Sequence, residues 1–315
     1  MSEDKSKSVY DIRYVKLHFT VEFTEDTTMP IYKASALRGG MGEMLLRANC
    51  IRNRDCETCD FESECLVGRI MYSKMEIRPA FMSAGDSVGY VFECEDYHEH
   101  FSVGDQMEFS LILFGKTICY FSHILNALYA LGMNGLGKEK SRFVIVSVTN
   151  TRKQPILYES DVDMSRYEIS SVTDYIEYRK KQIRKNGIKN ILKFKSPVSI
   201  KYRQEELKEF NIDAIIEAAC RRIYILDCFE GIESNIVTRE YLDALMIPEV
   251  LNEEHRPVSV KRYSNHQKSA MYLKGIEGEL VLESIPADLI DIFLAGELMH
   301  IGKNTSFGFG RYRLM

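Results

Sequence analysis

The sequence predicts an α+β protein made of two tandem halves, each running strand, helix, strand, strand, helix, strand. Three observations lead there: runs of strict apolar alternation, longer runs with apolar residues at helical spacing, and a glycine motif that recurs at the same point of both successions. Gly137-Lys138-x-x-Ser141 and Gly302-Lys303-x-x-Ser306 each follow a helical pattern and precede a closing strand. This order of elements is the ferredoxin-like (βαββαβ, RRM-like) layout, whose sheet faces and loops commonly carry single-stranded RNA. We expect a first domain over 10–150, a basic linker region over 151–188, and a second domain over 189–315 with a glycine-rich loop at 302–310.

The first strand spans residues 13–23, where Val15, Leu17, Phe19, Val21 and Phe23 alternate with Lys16, His18, Thr20 and Glu22. A helix from about 31 to 48 follows, with Leu37, Met41, Met44 and Leu45 on one stripe and Gly39, Gly40 and Gly42 beside them. Each mid-helix glycine costs about 1 kcal/mol relative to alanine, so something approaches closely there, and packing is the favoured cause over RNA contact. Strands are expected at 88–94 and 106–114, a helix over 120–131 with Phe121, Ile124, Leu125 and Leu128 on one stripe, and a strand over 143–148. In the second half come a strand near 190–202, a helix from Ile212 to Leu226, and strands near 257–263 and 270–282. A helix carrying Leu289, Phe293 and Leu298 then leads into Gly302, Gly308 and Gly310. Glycine frees backbone N–H groups for a close-lying anion. Neither loop is a nucleotide P-loop, because the helix precedes the loop and Glu139 and Asn304 stand where Ser or Thr is required.

At 315 residues the chain can form two domains with proper cores. The start, MSEDKSKS, lacks a signal peptide's apolar core and no apolar run reaches membrane-spanning length, so a soluble cytoplasmic protein with no membrane partner is expected. Net charge is −5, so any nucleic-acid site must be a local basic patch. One such patch stands out: Tyr178 to Gln204 holds ten Lys or Arg, including Lys193, Lys195, Lys201 and Arg203, and no acid. It reads as a phosphate track rather than a merely solvated face.

Cys50, Cys56, Cys59 and Cys65 are spaced C-x5-C-x2-C-x5-C. Four thiolates this close suit a structural zinc in a small knuckle inserted in the first domain, with a four-cysteine iron–sulfur cluster or unligated thiols as the alternatives. Cys94, Cys119, Cys220 and Cys228 lie singly in apolar patterns and are assigned to the core.

From Arg262 onward the residues meet a known family. R-Y-S-N-H-Q (262–267), M-Y-L-K-G-I-E-G-E-L-V-L (271–282) and L-A-G-E-L-M-H-I-G-K-N-T-S-F-G-F-G-R-Y-R-L (294–314) closely resemble the CRISPR repeat-processing endoribonucleases of the RAMP superfamily. A-L-R-G-G-M-G-E-M-L-L-R, followed by the four-cysteine knuckle, is similar to a metal-containing branch. The resemblance implies recognition of CRISPR repeat RNA and cleavage of the precursor with no metal in the reaction. The ribose 2′-hydroxyl attacks its own 3′-phosphate, leaving a 2′,3′-cyclic phosphate. CRISPR effector-complex subunits are a further partner class.

Such a reaction needs a base, an acid or cation, and an in-line substrate. His300, beside the glycine loop, is the leading base or acid. Lys303, His266 and Tyr32 complete the catalytic candidates. Better-known family members place a histidine in the first helix, where this chain offers Tyr32, Lys33 and Arg38 instead. RNA contacts are expected from Lys33, Arg38, Lys193, Lys195, Lys201, Arg203, Arg262, Ser264, Asn265, Lys268, Thr305, Ser306 and Arg311. The competing readings are a non-catalytic RNA-binding subunit of the same superfamily and an iron–sulfur sensor built on the knuckle.

Overall fold

In the computed structural model, residues 9–56, 58–75, 77–82, 87–158, 161–264 and 269–315 are described. Alternation in the first run produces an 11-residue strand β1 (Arg13–Phe23) with one buried face. After β2 (Thr27–Thr28) come α1 (Lys33–Asn49), α2 (Leu66–Met71), β3 (Tyr90–Glu93), β4 (His100–Phe101) and β5 (Gln106–Phe114). A 3-10 turn leads to α3 (Phe121–Asn134), followed by β6 (Phe143–Thr149), β7 (Pro155–Tyr158), β8 (Asp161–Val162) and β9 (Ser170–Ser171). The sheet runs β3-β5-β1-β6-β7-β8, with β9 on the end of β1 and every pair antiparallel. Phe19 lies opposite Phe109 with their rings stacked at 4.9 Å, and Val15 to Phe23 share a core with Leu37, Met41, Ile124 and Leu128. Two of the three α1 glycines serve packing: a Cβ at Gly40 would stand 2.5 Å from Leu131 Cδ1 of α3 and one at Gly42 would collide with Met71 Cε of α2, whereas Gly39 faces open space.

The second half comprises α4 (Val172–Asn186), β10 (Ile191–Phe194), the small hairpin β11 (Lys201–Tyr202) and β12 (Glu205–Glu206), α5 (Ile212–Phe229), α6 (Arg239–Ala244), β13 (Val250–Ser264), β14 (Ser269–Leu282), α7 (Ala287–Met299) and β15 (Tyr312–Leu314). Its sheet runs β13-β14-β10-β15. Counting only the strands of the β-α-β-β-α-β succession, both sheets read second, third, first, fourth. The two Gly-Lys-x-x-Ser motifs fall at equivalent places, between α3 and β6 and between α7 and β15. The hairpin is longer than the alternation suggested. Pairing runs from Val250 with Leu282 to Ser264 with Ser269, yet β10 covers only Glu279 to Val281, leaving most of it a two-stranded ribbon.

The linker region expected at 151–188 is corrected: it holds β7 to β9 and a packed helix. Ser171 and Asp174 form a capping box at the start of α4, and Val172 and Ile176 enter the core. Arg179, counted in the basic track, is buried. Its Nε donates to Glu297 Oε1 at 2.8 Å and its Nη2 to the Leu314 carbonyl at 2.8 Å. Glu297 also accepts from Arg313 at 2.6 Å and from the Leu314 N–H at 2.9 Å.

The halves share apolar packing. Tyr14, Val91, Ile112 and Phe114 of the first sheet, with Ile12 just before it, belong to the same cluster as Ile215, Ile223 and Phe229 of α5. Buried Arg222 ties them further, donating to the Met299 and Val88 carbonyls at 3.1 Å each. Among the described residues, no helix is long and apolar enough to cross a membrane.

Removing one member of a buried ion pair strands the other, at a cost of about 3–5 kcal/mol. Glu297→Ala should therefore lower unfolding free energy by about that amount in urea titration, whereas breaking the exposed Lys193–Glu279 pair should leave the midpoint nearly unchanged.

Candidate functional site

The loop after α7 is held by the protein itself. His300 and Asn304 take positive φ of 60° and 63°, and Gly308 takes 85°. A Cβ at Gly308 would stand 2.8 Å from Ala34 Cβ and 2.9 Å from the Phe92 carbonyl, so the loop is pressed between α1 and β3. Five of its N–H groups are engaged: Lys303 donates to Ser199, Gly310 to Pro197, Gly308 to Thr305, and Phe307 and Phe309 to Asn304. The amides of Gly302, Asn304, Thr305 and Ser306 are not among those engaged, while the side chains of Thr305 and Ser306, expected as phosphate donors, are buried.

His300 is corrected as well. It is fully buried, Nδ1 donates to the Phe309 carbonyl at 2.9 Å, and Nε2 faces Glu93 Oε1 at 3.2 Å. Burial pushes the imidazole pKa down against the opposing pull of Glu93. A ring with both nitrogens engaged and no exposure does not reach a substrate.

Glu93, on β3, also accepts from Lys16 at 2.6 Å and lies 3.4 Å from Arg311 Nε. Burial alone would raise its carboxyl, yet Lys16, His300 and Arg311 hold it well below the carboxylate range. Arg311 also pairs with Glu95, so this expected RNA contact is an internal tie.

Lys33 is likewise internal. Its ammonium is buried, donating to the Asp96 and His98 carbonyls at 2.8 and 2.6 Å beneath Phe101. Tyr32 caps α1 and donates to Glu277 Oε1 at 2.8 Å. Burial and that carboxylate raise its pKa, so it keeps its proton at neutral pH. Lys303 pairs with Glu206 at 3.5 Å and Lys193 with Glu279 at 2.8 Å. Lys195, Lys201 and Arg203 are exposed. Asn265, His266 and Lys268 lie outside the described residues, as does the side chain of Ser264.

Of the expected RNA contacts, Arg38 and Arg262 come together, over the ring of Phe307. Their guanidinium carbons stand 4.6 and 4.5 Å from its centroid, hence no more than about 9 Å from each other. Arg38 Nη2 donates to Ser87 Oγ at 2.8 Å, and Ser87 is anchored to the Met71 carbonyl. Arg262 Nη2 reaches Met271 Sδ at 3.8 Å. Among the described residues neither guanidinium has a carboxylate in ion-pair range, and Nε of each is buried without an acceptor. Like charges at that spacing repel by about 2 kcal/mol at an effective dielectric of 20, which offsets what the two cations gain from the ring at ~1 kcal/mol each. Burial, and then Arg38, lower the Arg262 pKa. An anion would reverse that balance.

In the knuckle, burial followed by Cys65, Cys50 and Cys59 raises the Cys56 thiol, so the four sulfurs share one neighbourhood. Among the described residues no three His, Cys, Asp or Glu side chains are arranged to hold a metal ion. Cys220 and Cys228 are core as expected, Cys94 is partly buried, and Cys119 is exposed because it lies in the turn before α3.

Residues 12–170 match the family model AF_1859_N, described as an N-terminal domain. Residues 192–312 match the model of the CRISPR-associated endoribonuclease Cas6. The chain belongs to the AF_1859_N family and carries a Cas6 domain. A partial Cas6-RT-Cas1–Cas2 complex is similar at TM-score 0.55 and 12% identity over 96% of this chain, which spans 46% of that one. A Cas6 product complex is similar at TM-score 0.52 and 13% identity, over 96% and 99% of the two chains. Thermus thermophilus Cas6 is similar at 0.50 and 12%, over 96% and 98%. At these identities the likeness is one of fold. No curated protein sequence matches the chain.

The Cas6 domain contributes Arg262, Phe307, His300 and Arg311, and the N-terminal domain contributes Arg38, Ser87 and Glu93. Phe307 and Ser87 escaped the sequence reading. The aromatic alternation of Ser306-Phe307-Gly308-Phe309-Gly310 was the available signal for the first, and nothing local marks Ser87.

Glu93 has a depressed pKa, so its stabilisation is present above the ordinary carboxylate value of 4.5 and is lost as pH falls toward the folded value. Glu93→Gln should unfold at lower temperature than wild type at pH 7, with the gap narrowing below pH 4.5 in thermal melts.

Proposed function

We propose that this chain is an endoribonuclease that binds CRISPR repeat RNA and cleaves precursor CRISPR RNA by 2′-hydroxyl attack, leaving a 2′,3′-cyclic phosphate. The observation that carries this reading is the meeting of the Cas6 domain's loop with α1 of the N-terminal domain, where Arg38 and Arg262 converge on one aromatic ring and, among the described residues, have no carboxylate partner. The strand order repeated in both sheets supports tandem ferredoxin-like domains, with the boundary near 170–190. An RNA lying across their junction meets residues from both.

The protein supplies no nucleophile. It bends the RNA so that the 2′-oxygen stands in line with the leaving 5′-oxygen, and it stabilises the crowded phosphate. Lys195, Lys201 and Arg203 extend the cationic surface for flanking phosphates. Their contribution is sequence-independent and weakens with salt.

Cys50, Cys56, Cys59 and Cys65 are proposed to hold a structural zinc, which favours thiolates and would relieve their mutual repulsion. That metal takes no part in cleavage. Prolonged chelation should lower the melting temperature, whereas EDTA added for a short assay should leave the cleavage rate unchanged. Immediate arrest by EDTA, with recovery on Mg²⁺ or Mn²⁺, would show that the reaction runs by a different route.

The burial of His300 favours a second reading, a non-catalytic RNA-binding subunit of a CRISPR complex. Labelled repeat RNA from the same genome separates the two. Cleavage in EDTA that a 2′-deoxy substitution at the cut site abolishes supports the enzyme, while tight binding with intact RNA selects the subunit. On either reading His300→Ala should act through stability, because its ring has no access to RNA.

A further inference from the structure

We infer that Arg38 and Arg262, held over Phe307, form a two-guanidinium clamp for the phosphodiester that is cut, and that this chain draws its electrostatic catalysis from that pair instead of from a histidine. The inference deepens the proposed endoribonuclease activity and rests on it. The two cations come from opposite halves of the chain, α1 and β13, and meet at a ring supplied by the loop between α7 and β15. Ser87 fixes the Arg38 fork, so the donors are set before substrate arrives.

Each guanidinium keeps donors unused. A like-charged neighbour is unfavourable in the free protein, and a phosphate oxygen meeting the accessible ends of the two half-buried side chains relieves it. A charge-assisted bond to a phosphate strengthens as negative charge builds on its oxygens, so the pair binds the pentacoordinate state more tightly than the starting diester.

In the step itself the 2′-oxygen forms its bond to phosphorus while the bond to the 5′-oxygen breaks. The 2′-hydroxyl proton passes to water, and the 5′-oxygen takes a proton from water. The guanidiniums donate hydrogen bonds throughout and keep their own protons.

The test compares wild type with Arg38→Ala, Arg262→Ala, Arg38→Lys and Arg262→Lys. It measures single-turnover cleavage of repeat RNA at saturating protein, alongside binding of the uncleavable 2′-deoxy RNA. The alanine variants should cleave about 100-fold or more slowly, while each lowers the salt slope of binding by about one. The lysine variants keep the charge but lose the fork, so they should bind nearly as wild type and recover little of the rate. Methylguanidine added to the alanine variants should restore part of it. Phe307→Leu, which keeps bulk but not the aromatic face, should fall between wild type and the alanine variants. Melting temperatures of the lysine variants check that the fold is intact.

Cleavage by both alanine variants within about threefold of wild type overturns the clamp. If wild type binds repeat RNA without cutting it, the endoribonuclease reading fails by itself, and the clamp then stands or falls on whether the alanine variants lose affinity and salt slope. If wild type binds no RNA, inorganic phosphate serves as the probe. A thermal shift in wild type that vanishes in Arg38→Ala sustains an anion site there, and equal shifts overturn it.

Discussion

The carboxylate of Glu93 is the constraint around which the two halves are arranged. A buried charge is tolerated only when paired and hydrogen-bonded, and this one draws its partners from both halves: Lys16 from the neighbouring part of the first sheet, His300 and Arg311 from the loop of the second. Separating the halves would strand it. The same contact presses the glycine loop against α1 and β3, and that pressure brings Phe307 beneath Arg38. The position of the cationic junction is thus fixed by an ion network buried beside it.

That arrangement assigns separate tasks to residues that look alike in sequence. Arg179, Arg222 and Arg311 all belong to basic or polar surroundings, yet each is turned inward to a carboxylate or a carbonyl. Arg38 and Arg262 stand apart because their neighbours are an aromatic face, a hydroxyl and a thioether. In a chain of net charge −5, attraction for a polyanion comes from such local imbalance rather than from the whole surface.

Much of the architecture was legible in the sequence. Strict alternation located β1 and β5, helical spacing located α1, α3 and α5, and the repeated Gly-Lys-x-x-Ser motif marked equivalent junctions in the two halves. Such signals are local, and local periodicity is what sequence shows best. The site was less legible, because burial is decided by partners far away. His300 sits beside a polar glycine loop and reads as a free imidazole until Glu93, 207 residues earlier, is placed against it. Lys33 reads as an exposed cation at a helix start until the loop around Asp96 folds over it. The density of Lys and Arg in α4 hid Val172 and Ile176, so a packed helix looked like a linker. Arg38 and Arg262 were both named as RNA contacts, but only the fold shows that they share one aromatic ring.

The separation of Glu93 from its second-half partners also has a consequence for synthesis. Domains generally form as the chain emerges, at roughly 5–20 residues per second. With His300 lying 207 residues after Glu93, the first half waits roughly 10–40 s for its partners. Through that interval Lys16 is the only one of the three partners already made, and the face bearing Ile112 and Phe114 has not yet met α5. The nascent first half is therefore an adhesive, half-neutralised surface, and the order of translation makes it the stage at which a chaperone or a misplaced neighbour has most to hold.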